Sequence, residues 1–185
     1  MNVGKVIERF DELANDWLVD LKMLDDEVLQ MRPAQDQWSL AEVYDHVMKV
    51  SRTYQIPNLR QSLSENAVKK RSKNLTGMAI FDLLVRKNVH MRMEEFPDRL
   101  VTLFSPVKRP KPELLADFIA FIKEVKELEP SVAGSTFRNK QYHPMFGDIS
   151  TKEWYYLIEF HMWQHNKQKE KIKHFLRTGH LCISC

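Results

Sequence analysis

The chain has 185 residues, of which 43% are hydrophobic and 29% charged, and carries a net charge of +3 at pH 7. That length accommodates one domain with a real core and leaves two full domains cramped. So mild a charge gives no reason to expect nucleic acid or an anionic membrane as partner. Five glycines, most in loop contexts such as Gly77, Gly134 and Gly147, are fewer than a turn-rich sheet protein usually needs, so composition leans towards helix.

No stretch is long and apolar enough to span a bilayer, and the N-terminal residues run into an amphipathic pattern without an apolar leader. A cytoplasmic protein is therefore expected. The two cysteines, Cys182 and Cys185, both fall in the last four residues, so no disulfide framework can staple the fold. At such a chain end a pair of free thiols is expected rather than a zinc or redox site.

In chain order, Val6, Ile7, Phe10, Leu13, Trp17, Leu18, Leu21 and Leu24 recur at three- and four-residue steps and predict an amphipathic helix over about residues 3–24. A helical turn is expected near 27–30, with a stop at Pro33. The second long helix opens at Ser39-Leu40-Ala41-Glu42, a capping box, and Pro57 is expected to kink its distal half. Residues 64–76, including the basic run 69–73, read as a solvated connection, and 78–89 as a shorter helix. Residues 96–111 carry Pro97, Pro106 and Pro110 and read as irregular. Pro112-Glu113 starts a third long helix, whose buried stripe is Leu114, Leu115, Phe118, Phe121, Ile122, Val125 and Leu128. Residues 130–149 read as loop, and no alternating strand pattern of useful length is present. A second capping box, Ser150-Thr151-Lys152-Glu153, opens a last long helix ending near Arg177. The expected architecture is an all-α four-helix bundle with a short helix and an irregular segment inserted between the second and third long helices. It forms one domain over residues 1–178, followed by a tail at 179–185.

The last helix holds an anomaly. On a helical wheel Trp154, Leu157, His161, His165, Gln168, Ile172 and Phe175 all lie within about 40° of one direction. Three polar side chains thus sit in the middle of a stripe that is apolar at both ends, where unsatisfied groups cost roughly 1–3 kcal/mol each. Histidines four apart stand one turn apart on one face and can converge on one ion. A third ligand would come from elsewhere, and His46 is the natural candidate, although it lies at the edge of its own helix's apolar stripe. The plainer reading is a pair of hydrogen-bonded histidines without metal. His90, His174 and His180 read as surface or loop residues, and His143 as a turn-stabilising residue or a neighbour of the site.

The run Trp38-Ser39-Leu40-Ala41-Glu42-Val43-Tyr44-Asp45-His46, with His161-Met162-Trp163-Gln164-His165-Asn166-Lys167-Gln168 far downstream, resembles the DinB/YfiT-like superfamily. The segment His143-Pro144-Met145-Phe146-Gly147-Asp148, leading into Trp154, resembles a branch catalogued as a domain of unknown function. The resemblance implies a helical bundle holding zinc, nickel or a similar divalent metal on His46, His161 and His165. It also implies a surrounding role for Gln168, and His143 is a further candidate for that outer shell. Where this branch commonly has a second histidine beside the last ligand, this chain has Gln164.

Three neutral imidazoles leave positions for a water or substrate, the pattern of a catalytic metal. Relatives of this type imply thiol S-transfer or hydrolysis of a small substrate, such as a low-molecular-weight thiol conjugate. A non-catalytic metal-binding or interaction module is the alternative. The sequence lacks a His-Glu-x-x-His motif, which disfavours a protease mechanism. Glu42 reads as occupied in its cap, and Asp45 and Glu159 as solvent-facing. The basic run lacks interleaved aromatics, so DNA binding is not expected. The apolar stripes are compatible with a homodimer.

Overall fold

Asn2 opens helix α1 (Val3–Met23) by accepting the Lys5 amide hydrogen at 3.2 Å. Its buried residues Val6, Phe10, Ala14, Trp17 and Leu21 follow the helical steps of the sequence. The structure is a computed structural model, and it describes residues 1–64, 72–82 and 98–179. After the short α2 (Asp26–Gln30), helix α3 (Leu40–Val50) begins at the Ser39–Glu42 box. There the Glu42 amide donates to Ser39 Oγ at 3.3 Å and the Ser39 amide donates to Glu42 Oε2 at 2.9 Å. Arg32 clamps the same carboxylate, its Nε donating to Oε2 at 2.8 Å.

Helix α3 continues through one π turn (Ser51–Gln55) into α4 (Ile56–Ser62). Pro57 has no amide hydrogen to give to the carbonyl four residues back, and the chain widens into the π turn just ahead of it. Ser51 Oγ and the Gln55 side chain are tied at 2.9 Å inside that turn.

Helix α5 (Leu75–Phe81) begins in the last two residues of the expected solvated connection and covers the start of the expected helix over 78–89. The expected helix over 78–89 is met only in part, because 83–97 lie outside the described residues, as do His90, His180, both cysteines and 69–71 of the basic run. Gly77 is not a loop glycine. It lies in α5 against the hairpin, where a Cβ would fall 2.4 Å from the Phe146 carbonyl oxygen. Helix α6 (Asp98–Phe104) occupies part of the segment expected to be irregular. Pro106 follows this helix instead of interrupting it.

Helix α7 (Lys111–Ala133) runs past Pro130, four residues beyond the expected stop region. Burial of Val132 and the Gly134 amide donating to the Pro130 carbonyl at 3.1 Å hold that last turn. The expected 130–149 loop contains a small antiparallel hairpin, β1 (Lys140–His143) and β2 (Gly147–Ser150). Lys140 pairs with Ser150, Tyr142 with Asp148 and His143 with Gly147. Four-residue strands are too short to show alternation convincingly in sequence. Gly147 has φ +76°, and a Cβ there would fall 2.8 Å from the Asn74 amide nitrogen.

Helix α8 (Thr151–Thr178) starts at the Ser150–Glu153 box and ends at Gly179, left-handed at φ +71°. It is the central element: α1, α3, α4 and α7 all pack on it, while α1 and α3 also pack on α7. The result is predominantly helical. Two side chains expected to face solvent are buried by this arrangement. Asp45 accepts the Val107 amide at 2.8 Å and faces Arg109 at 3.6 Å, and Glu159 faces Arg9 at 3.6 Å. Segments far away in sequence cover both. No helix of the described residues is long and apolar enough to cross a membrane.

Candidate metal centre

Helix α8 brings His161 and His165 to one face, and α3, packed across it, brings His46 between them. One ring nitrogen from each histidine lies within 4.8 Å of the other two. The ring centroids are 5.1 Å apart for His46–His161, 4.7 Å for His46–His165 and 4.7 Å for His161–His165. Among the described residues no other group of three or more His, Cys, Asp or Glu side chains converges this closely.

The outward nitrogens of two rings are fixed by acceptors. His46 Nδ1–H donates to the Phe104 carbonyl of α6 at 2.8 Å. His165 Nδ1–H donates to Gln168 Oε1, one turn along α8, also at 2.8 Å. Each acceptor holds the proton on Nδ1, so Nε2 keeps its lone pair. His161 is buried, and its Nδ1 has no hydrogen-bond partner. A buried imidazole nitrogen without a partner is costly unless something binds it.

All three rings are held neutral. Burial pushes His46 down to about 3, helped by the proximity of His165 and opposed by the bond to Phe104. Burial and both neighbouring rings push His161 well below the usual histidine range, and burial lowers His165 against the opposing effect of its bond to Gln168. A neutral, nitrogen-only donor set suits a divalent ion such as zinc or nickel. The residues present therefore fit such an ion.

Trp38, which precedes the α3 cap, lies against His46 (centroids 4.7 Å) and stacks on His165 (6.3 Å, interplanar 19°). Neither Trp38 nor the Phe104 carbonyl has a site role in the sequence reading. Trp38 stands in the cap motif and carried a usable signal, whereas a backbone carbonyl 58 residues from its histidine carries none. A cleft of about 520 Å³ opens beside the trio, lined by Asp36, Trp38, His165, Gln168 and Lys171.

His143 is placed elsewhere. It is buried on the hairpin, stacked on Phe146 (4.3 Å, 19°) and against Trp154 (5.2 Å) and Tyr54 (5.7 Å). Its Nδ1 accepts the Met145 amide hydrogen at 3.2 Å. That contact is the turn-stabilising alternative of the sequence reading.

A helical protein with a buried trio of convergent neutral histidines beside an open cleft defines the class: a helical scaffold able to hold a divalent metal. The chain belongs to the DinB superfamily, whose model matches residues 8–168 and so spans all three histidines. It is also similar to an uncharacterised Bacillus subtilis protein, YuaE, at 26% identity over 164 residues, covering 89% of this chain and 94% of that protein.

Proposed function

We propose that this chain is a metal-dependent enzyme of the DinB type in which His46, His161 and His165 hold one divalent ion, zinc or nickel. The observation that carries the reading is the convergence of three neutral imidazoles, one with an orphaned nitrogen, with His165 at the wall of an open cleft. When bound, the ion supplies Lewis acidity that lowers the pKa of a water or a thiol. Phe104 and Gln168 hold the outer nitrogens of two rings, which sets their orientation and raises their basicity. His161 is placed by burial alone. Trp38 screens the His46 and His165 rings from solvent on one side and forms a wall against which a small substrate can pack.

The reaction class proposed is transfer or hydrolysis of a small substrate, with a low-molecular-weight thiol conjugate as first candidate. The cleft is of small-molecule size and is polar at its rim, with Asp36 and Lys171 as opposite charges. Glu42 is not a candidate base, since Ser39 and Arg32 occupy its carboxylate, and Asp45 is engaged by Val107 and Arg109. We read the helical packing as a four-helix bundle forming one domain over 1–178 with a tail at 179–185, in a cytoplasmic protein able to dimerise.

The test is elemental analysis of purified protein, followed by a screen of the metal-loaded chain against thiol-conjugation and hydrolase substrate panels. About one ion per chain, and turnover lost on chelation and regained on metal return, supports the reading. Metal retained without turnover in either panel would replace it with a non-catalytic metal-binding module.

A further inference from the structure

A second cavity, of about 310 Å³, lies away from the histidine trio, between α5, the hairpin and the start of α8. Lys73, Phe81, Phe137, Lys140, Asp148 and Glu153 are among the residues lining it. Most of the charges here are already paired. Lys73 Nζ is shared between Glu153 and Asp82, the latter at 2.7 Å. The other Glu153 oxygen accepts the Ser150 amide at 2.6 Å and the Ser150 hydroxyl at 2.8 Å.

Asp148 is different. It is 5% exposed, and its carboxylate makes no hydrogen bond or ion pair among the described residues. The hairpin register explains its direction. Lys140 faces Ser150 and Tyr142 faces Asp148 across the strands, so these four share one face of the pleat. Lys140 and Ser150 also line the cavity, and Asp148 stands on their side. Its oxygens open on the cavity, where a cation would give them the partner that the fold does not.

The rest of the wall decides what kind of cation. The carboxylates of Asp82, Asp148 and Glu153 do not converge as the histidines do, and two of them are committed to Lys73, so they do not form a cage for a bare metal ion. Aromatic rings complete the wall, and both already hold ammonium groups near their faces. Lys73 Nζ is 5.9 Å from the Phe81 centroid and Lys152 Nζ is 5.4 Å from that of Phe137.

We infer that this cavity is a binding site for a small organic ammonium ion, held by the Asp148 carboxylate and packed against the Phe137 ring. The site is separate from the histidine trio. It also gives a purpose to the His-Pro-x-Phe-Gly-Asp segment. Gly147, at positive φ and pressed on Asn74, closes the turn that sets Asp148 on the cavity face.

Calorimetric titration of the full chain with n-butylammonium, n-butanol and butyrate tests it, because the three probes share size and differ in charge. Saturable n-butylammonium binding is expected at about millimolar concentration, with the alcohol and the acid about tenfold weaker or silent. Asp148→Asn should weaken the ammonium about tenfold, whereas His161→Ala should leave it unchanged, which separates this site from amine ligation at the metal centre. Equal binding of amine and alcohol, or an Asp148→Asn variant that binds as the parent does, would overturn the proposal. Should Asp148→Asn not fold, Phe137→Ala serves instead: a severalfold loss of ammonium affinity supports the site, and no loss overturns it.

Discussion

Buried histidine occurs in two regions of this molecule, and the two are built in opposite ways. At the hairpin, His143 is a single ring in a cage of Tyr54, Phe146 and Trp154, and its Nδ1 lone pair is used by the Met145 amide. At the α3–α8 crossing, His46 and His165 place their protons outward on Phe104 and Gln168, and the lone pairs are left for one another's centre. Both regions hold neutral imidazole, and burial is the first cause in each. Burial and a depressed pKa therefore do not distinguish a structural histidine from a metal-competent one. What distinguishes them is which nitrogen keeps a lone pair, and whether a neighbour already uses it.

The sharpest way to break this contrast is metal retention. His46→Ala, His161→Ala and His165→Ala should each retain less than about a tenth of the parent's metal after dialysis, while His143→Ala keeps all of it. Loss of metal from His143→Ala would place both regions in one functional unit. Stability should respond in the other direction. His143→Ala removes a ring packed among three aromatics and is expected to cost about 2–4 kcal/mol, read as a shift in denaturant midpoint at unchanged slope.

Acid is a third probe, applied to metal-free protein. The folded-state pKa of His143 is pushed to about 3 from an ordinary 6.5, so between these values the unfolded chain binds a proton that the folded chain refuses. Stability from this residue is complete above about 6.5 and is lost as the pH falls towards 3, at about 1.4 kcal/mol per pH unit. His143→Phe should flatten the pH dependence of the unfolding free energy in that window. An unchanged slope would mean that the His143 ring is protonated in the fold. The smallest effect is expected at Gln168, where Gln168→Ala frees the outer nitrogen of His165 and should weaken metal affinity about tenfold, measured by competition with a chromophoric chelator. No change would leave Gln168 outside the centre.

How far the site could be read in advance differs from residue to residue. His161 and His165 are neighbours by helical geometry alone, and Gln168 follows on the same stripe. His46 is a different case. On a wheel it sits at the edge of its helix's apolar face, yet it is 3% exposed. Helix α3 has almost no exposed face, because α2, α6, α7 and α8 cover it from different sides. The motif around Trp38 and Ser39 pointed to His46 where periodicity could not.

The sequence by itself determined the long helices and the two capping boxes, which depend on contacts three or four residues apart. It also determined the turn of α8 that pairs two histidines. Only the tertiary structure decided that His46 meets them, that Phe104 orients it, and that Asp45 and Glu159 are buried. It decided as well that His143 is caged apart and that a hairpin presents Asp148 to its own cavity. These features join residues dozens of positions apart, and such contacts exist only once helices pack.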